Sequence, residues 1–419
     1  MKQFFIKKEI TAVIFIISLV TFSVINCIYS WPFLKEELTS TISTQDIETK
    51  MNNDLYQKNS YIESYGFIQS VLGKREFNNF EVIKGTDNML YLTSQQTKPR
   101  DTSIIVERMK RLQDAVENNN GQLVTLVPPD KYLEGKSASL DGYPSSFNNE
   151  TADRYVQGLK DKGIEVLDYR EYFQKSSLSI QDIFYQTDHH WKIESAFLAT
   201  HELINYLNEK DSLNLDPEYY YRDINNYNQM TYKKSYIGSL GRKTGKLYSG
   251  VEDFTLIYPK YETSFVYDMN HYGQTTHREG RMDDTLINPS YFVNIRKDYL
   301  SPQYDFYAAY LDYNCSYAKI VNNNNPTGLK VAFYKDSYSL PLITFFSQVC
   351  SEIEIIDHTE KSEQQELVED LVQIITVFSC KLQGKRANKA KKLIRELIQE
   401  ETDGKSHKSN VDTKQRTEN

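Results

Sequence analysis

Residues 10–31 read ITAVIFIISLVTFSVINCIYSW, a run without one charged side chain. A helix needs about 20 such residues to cross a bilayer. Lys2, Lys7 and Lys8 precede the run. Basic residues stay on the cytoplasmic side, so the N-terminus is expected inside the cell and everything after Trp31 outside it. Tyr29 and Trp31 suit the aromatic belt where the helix meets the headgroups. A cleaved signal peptide would have a shorter apolar core and a small-x-small site, and no clear one follows. A lipoprotein site would need a small residue before Cys27, where the chain has Asn26. The expected location is therefore the cell membrane, with a single span.

Beyond the span, the 419-residue chain is long enough for one large domain or two ordinary ones, and 39% hydrophobic residues can fill a sizeable core. The net charge of −8 argues against nucleic acid as a partner. Tyr outnumbers Trp by 32 to 2. Tyr-rich surfaces suit sugar stacking, but AT-rich coding produces the same excess. Of the 4 cysteines, Cys27 lies in the apolar run, and Cys315, Cys350 and Cys380 lack the close pairing of a zinc site. They read as small core residues.

Residues 33–80 are polar, with Phe, Tyr and Ile at helical spacing, as in a helical stalk or lead-in. Val82 to Leu92 reads as strand, turn, strand, with Gly85 and Asp87-Asn88 in the turn. An α/β rhythm follows. Ile105, Met109, Leu112 and Val116 share a helical face, with Gly121 as a stop. Leu123–Val127 is an apolar strand closed by Pro128-Pro129. Residues 151–162 form a helix ended by Gly163, Ile164–Leu167 a strand, and 193–207 another helix. The rhythm breaks over 211–325, read as an insertion or cap. It returns with strands at 329–334, 353–356 and 372–378, the last after a helix near 362–371. Alternating helices and buried strands imply a parallel sheet covered on both faces. The expected organisation is 1–9 cytoplasmic, 10–31 anchor, 32–80 lead-in, 81–380 an extracytoplasmic domain, and 381–419 a basic amphipathic segment with a disordered tail. Lys385, Arg386, Lys389, Lys391, Lys392 and Arg395 supply its charge.

Two motifs carry chemistry. In Thr187-Asp188-His189-His190-Trp191, a carboxylate lies two residues from an imidazole. On an extended backbone both fall on one face, with His189 pointing away. Asp188 can then fix the tautomer of His190 and stabilise its protonated form. A polar loop or a metal site built from Asp188, His189 and His190 remains open. In Val331-Ala332-Phe333-Tyr334-Lys335-Asp336-Ser337-Tyr338, an apolar strand ends in Asp-Ser before an apolar helix, Leu340–Phe346. A Ser on a strand-to-helix turn is exposed at the carboxyl edge of a sheet, where helix N–H groups can hold an oxyanion. A plain helix N-cap fits the same residues.

The tetrapeptide at 188–191 resembles the signature of the DHHW family, related to the AlgX/AlgJ-type alginate O-acetylation proteins of the SGNH-hydrolase-like superfamily. Gly85–Tyr91, Val127–Lys131, Gly238–Gly245 and Lys335–Tyr338 resemble further motifs of that family, in the same order, over roughly 80–378. The resemblance implies an α/β, flavodoxin-like parallel sheet with helices on both faces. It implies Ser337 as nucleophile, His190 as base and Asp188 as orienting carboxylate. Lys335 stands where ordinary SGNH enzymes have Gly. Asn322 and Gly238 are candidate oxyanion or substrate contacts, together with Tyr338 and Lys131. The implied activity is acetyl transfer to a cell-surface polysaccharide without a cofactor. A multispanning acyltransferase would bring the acyl group across the membrane. A carbohydrate esterase, a non-catalytic polysaccharide-binding protein and a metal-binding domain are the rivals.

Overall fold

The computed structural model of the chain describes residues 2–37 and 55–380, apart from 119–120, 139, 141, 145, 272–273, 294–304, 314 and 358–374. The uncharged run lies within one helix, α1 (Lys2–Glu37), whose stretch Ile6–Trp31 is long and apolar enough to cross a membrane. A second helix, α2 (Lys58–Val71), follows. Three short strands then form an antiparallel sheet: β1 (Glu76–Phe77), β2 (Val82–Lys84) and β3 (Leu90–Leu92). The Gly85 to Asn88 turn joins the last two, with the Asp87 carboxylate accepting from Met89 N at 3.0 Å.

Helix α3 (Ser103–Glu117) turns Met109, Leu112 and Val116 inward, as the spacing predicts, but at its start Val106 is buried and the expected Ile105 only half-buried. It precedes strand β4 (Gly121–Val127), so Gly121 opens the strand rather than ending the helix. Helix α4 (Asn148–Asp161) crosses over to β5 (Glu165–Asp168), parallel to β4. Gly163 takes a positive φ of 71° in the turn between them, a conformation that costs glycine little. Helix α5 (Ile193–Asp211) carries the next buried face. Strands β6 (Tyr227–Tyr236) and β7 (Glu252–Pro259) make a separate two-stranded ribbon, with helices α6 (Ser239–Thr244) and α7 (Lys246–Ser249) between them. Strands β8 (Phe265–His271), β9 (Gln274–Gly280) and β10 (Tyr317–Asn322) come next. The chain then forms β11 (Leu329–Lys335), α8 (Ser339–Phe346), β12 (Cys350–Asp357) and β13 (Ile375–Cys380).

Eight of these strands form one sheet in the order β5-β4-β13-β11-β12-β10-β8-β9. Its centre matches the expected α/β arrangement. Alternate residues of β4, β11 and β12 face two cores. On one face, α3 and α4 cover Leu123, Val127 and Ile356. On the other, α5 and α8 cover Val124, Leu126, Phe333, Ile353 and Ile355. The wholly parallel sheet is corrected. Among the described residues only β4/β5 and β11/β12 are parallel. Strand β13 runs antiparallel to both neighbours, and β10, β8 and β9 extend the sheet antiparallel. A buried apolar strand reads the same in either direction, so the pattern of 372–378 could not set its sense. The stretch 211–325, expected as a cap, contributes three strands to the main sheet. Cys315 and Cys350 are buried, as expected of small core residues. The helix expected near 362–371 and the basic segment and tail at 381–419 lie outside the described residues.

Candidate active site

β4 and β11 both run antiparallel to β13, so the ends of β4, β5, β11 and β12 share one edge of the sheet. Open sheets bind ligands at such carboxyl edges. Strand β11 ends there at Lys335, and Asp336-Ser337-Tyr338 turns the chain into α8. The Asp336 carboxylate accepts from Tyr338 N at 3.0 Å, and Ser339 Oγ donates to Asp336 O at 2.7 Å. These bonds fix a tight turn in which Asp336, Tyr338 and Ser339 are buried and Ser337 is partly open to solvent.

The Asp188 loop arrives from a different part of the chain. A bridge between Phe184 and Trp191 closes it, and residues 186–190 form a continuous bend. Two clamps hold this loop against the Ser337 turn. Trp191 Nε1 donates to Tyr338 O at 3.0 Å, and the Tyr338 hydroxyl donates to His189 O. The result is a hydrogen-bonded line: Asp188 Oδ2 lies 3.2 Å from His190 Nδ1, and His190 Nε2 lies 2.7 Å from Ser337 Oγ. The Tyr307 ring stacks on His190 with centroids 4.1 Å apart, covering one face of the imidazole.

Asp188 is fully buried. Its Oδ1 accepts from His189 N at 2.7 Å, Ser239 Oγ at 2.7 Å and Ser239 N at 3.3 Å, and Oδ2 accepts from the Tyr236 hydroxyl. Burial alone would raise its pKa, but the neighbouring His190 and the hydrogen bonds from His189 and His190 hold the carboxyl well below the usual range. The group is thus an anion in position to hold a proton on His190 Nδ1. Tyr236 is pushed well above the ordinary phenol range, chiefly by burial and then by Asp188 and Asp305, so it stays a donor.

His189 does not point away, which corrects the alternation drawn from an extended backbone. Its Nδ1 lies 3.1 Å from Asp188 Oδ1 and 2.7 Å from Ser239 Oγ, and its ring centroid is 3.8 Å from that of His190. The bend at 186–190 removes the period of two on which that expectation rests. Asp188, His189 and His190 offer donor atoms within 4.8 Å of one another. Asp188 already accepts from several groups, and His190 Nε2 engages Ser337.

The weaker candidates separate. Asn322 ends β10 at the opposite edge of the sheet, where its amide donates to Ser347 O at 3.0 Å and Gln348 O at 3.3 Å. It holds the far end of α8 and is not part of this cluster. Gly238 is beside Asp188, but its N–H donates to Thr187 Oγ1 at 2.8 Å. A Cβ there would lie 2.5 Å from Asp188 Cγ, so glycine is required by close approach rather than as an oxyanion donor. Tyr338 clamps the two loops. Lys131 is buried, and its Nζ donates to Leu90 O at 2.9 Å and Gln186 O at 3.1 Å, bracing the loop from behind. Sequence reasoning missed Tyr236, Ser239, Tyr307 and Glu252. The buried Glu252 carboxylate accepts from Gln186 N at 2.7 Å, Thr187 N at 2.7 Å and Thr187 Oγ1 at 2.5 Å. Ser239 lay within the Gly238–Gly245 motif. No local signal marks the other three, because each reaches the site only through the fold.

Residues 82–231 match the family model described as the SGNH hydrolase-like domain of acetyltransferase AlgX. No curated protein sequence matches the chain. Bacillus cereus PatB1 superposes with a TM-score of 0.53 at 19% identity, over 70% of this chain and 93% of that one. Its sulfonyl adduct gives 0.52 at 16% identity, over 70% and 91%. A DHHW family protein from Eubacterium siraeum gives 0.48 at 15% identity, over 69% and 86%. Over residues 82–231 the chain thus resembles the SGNH hydrolase-like domain of AlgX, and it shares the fold of PatB1.

Proposed function

We propose that the chain is a membrane-anchored extracytoplasmic O-acetyltransferase acting on a cell-surface polysaccharide. The observation that carries this reading is the unbroken line from Asp188 through His190 to Ser337, with spacings of 3.2 and 2.7 Å. The matched family's name, an acetyltransferase, supports the choice of acyl group. In the proposed reaction Ser337 Oγ gives its proton to His190 Nε2 and attacks the acyl carbonyl. Collapse of the tetrahedral adduct leaves an ester on Ser337, and the leaving group takes the proton from His190. A sugar hydroxyl then gives its proton to His190, attacks the ester and releases Ser337 as the proton returns. Asp188 holds the imidazole and stabilises its cation in both halves. No step calls for a cofactor. A multispanning acyltransferase would supply the acyl group, because acetyl donors are made inside the cell.

Purified chain is incubated with p-nitrophenyl acetate, and the Ser337 peptide is weighed by mass spectrometry. An acetyl group on Ser337 is expected, and none in Ser337→Ala. Added acceptor polysaccharide should speed p-nitrophenol release and become acetylated. Equal turnover by Ser337→Ala would overturn the reading. Acceleration by water alone, with unmodified polymer, would favour an esterase.

A further inference from the structure

The lead-in helix α2 has a face that the catalytic reading leaves unused. Its inner face, with Gly66 and Gln69 buried, packs on α6 and α7. Gly66 allows that closeness, since a Cβ there would collide with Thr244 O, and the Glu63 carboxylate accepts from Lys246 N at 3.0 Å and Leu247 N at 3.2 Å. The outer face carries the exposed Ser60 and Ser64 and a set of large apolar side chains. Tyr61, Tyr65, Phe67, Ile68 and Val71, with Leu72 at the helix end, are between 46% and 69% exposed. Water-soluble surfaces rarely hold so many contiguous large apolar side chains.

The same helix and the turn before it touch α1. Tyr61 packs edge-on to Phe22 at 5.8 Å, Tyr56 packs edge-on to Tyr29 at 5.5 Å, and Tyr56 N donates to Asn26 Oδ1 at 2.9 Å. Phe22, Asn26 and Tyr29 all lie in the second half of the uncharged run 10–31, so α2 and the turn before it rest against the outer half of the span. An amphipathic helix in a membrane interface buries its apolar face beside such a segment.

We propose that α2 is an interfacial helix whose Tyr61, Tyr65, Ile68 and Leu72 stripe rests in the outer leaflet beside α1. This rests on the reading of α1 as a membrane anchor. The consequence reaches the site through a short path. Helix α2 bears on α6, whose Ser239 donates to Asp188 at 2.7 Å and whose Gly241 N donates to Thr187 O at 2.8 Å. Lipid contact by α2 therefore fixes the Asp188 loop close to the bilayer, where an acyl group delivered through the membrane arrives.

The test uses the full chain, with Cys27 and Cys380 changed to Ser, in vesicles of phosphatidylglycerol and phosphatidylethanolamine. An environment-sensitive fluorophore is attached at Ile68→Cys, at Phe15→Cys in mid-span, and at Lys210→Cys on α5 as an aqueous reference. Nitroxide-labelled lipids should quench positions 15 and 68 at least ~3-fold more than position 210, and aqueous iodide should do the reverse. Lipid quenching at 15 with iodide quenching at 68 would overturn this inference while leaving the anchor intact. Aqueous behaviour at both would overturn the anchor reading itself. Shielding of 68 from both quenchers would also overturn the inference and point to a protein occupant. In a second arm, the Ile68→Glu, Leu72→Glu chain should keep its turnover of soluble p-nitrophenyl acetate and lose ~10-fold or more in transfer from a membrane-delivered donor. Unchanged membrane-dependent transfer would count against the proposal.

Discussion

His190 has one ring nitrogen on Asp188 and the other on Ser337, so neither neighbour works without it. Replacing Ser337 or His190 with Ala should each lower kcat by at least ~10³-fold, and the double change should cost little more, because such residues act as a unit. Multiplying losses in a steady-state cycle would show that the two act separately. Gly238 tests placement rather than chemistry. A methyl group at 238 overlaps Asp188, which must move or tilt. Gly238→Ala should cut kcat by ~10²-fold, the scale of a 1 Å misplacement, with the fold retained by circular dichroism. A variant with wild-type kcat would show that Asp188 tolerates displacement. At this scale, the residues legible in the sequence were those inside local motifs: Asp188 and His190 two apart, and Ser337 at a strand end. The orientation of His189 was not legible, because it depends on a bend that the four letters do not encode. Asn322 was misread because an amide near a strand end looks the same at either edge of a sheet.

Lys131 lies just after β4 and ties that strand end to β3 and the Asp188 loop through Leu90 O and Gln186 O. Removing its ammonium takes that donor from the Leu90 carbonyl and leaves Gln186 O with Leu90 N alone, at 3.0 Å. Lys131→Met should therefore destabilise the fold by about 1–3 kcal/mol and lower kcat through a looser Asp188 loop. Burial pushes the Lys131 pKa down to about 8 from an ordinary 10.5, opposed by Glu252, Asp188 and Asp87. Between those two values the unfolded chain keeps a proton that the folded chain has released. The contribution of this group to stability therefore rises with pH across that window and is level below it. Denaturant melts of wild type and Lys131→Met should diverge from pH 8 towards pH 10. A constant gap would mean that Lys131 titrates normally in the fold. Helices and strands with strong periodicity, such as α3, α4, β4 and β11, were legible near their true bounds. Strand direction was not. The antiparallel β13 sits between β4 and β11 through a pairing set by the whole sheet.

For the whole molecule, the decisive quantity is the side of the membrane on which the Ser337 edge lies. Ile6–Trp31 is apolar and almost wholly uncovered by the rest of the chain, unlike the core helix of a soluble domain. Lys7 and Lys8 lie at its start, where the positive-inside rule keeps them in the cytoplasm. On the proposed topology the domain beyond lies outside the cell, with Cys315 and Cys350 buried in its core. Acetylation of a surface polymer requires the same topology, because the acceptor hydroxyls are outside. A protease added to intact wall-stripped cells should therefore digest the region after Trp31, while a tag placed before Lys2 stays protected until the cells are lysed. Protection of the domain in intact cells, with digestion only after lysis, would place Ser337 in the cytoplasm, where a soluble acyl donor could reach it directly. The proposed multispanning partner would then have no role. The orientation experiment thus tests the anchor, the acceptor and the partner at once, which neither the site geometry nor the fold can do alone.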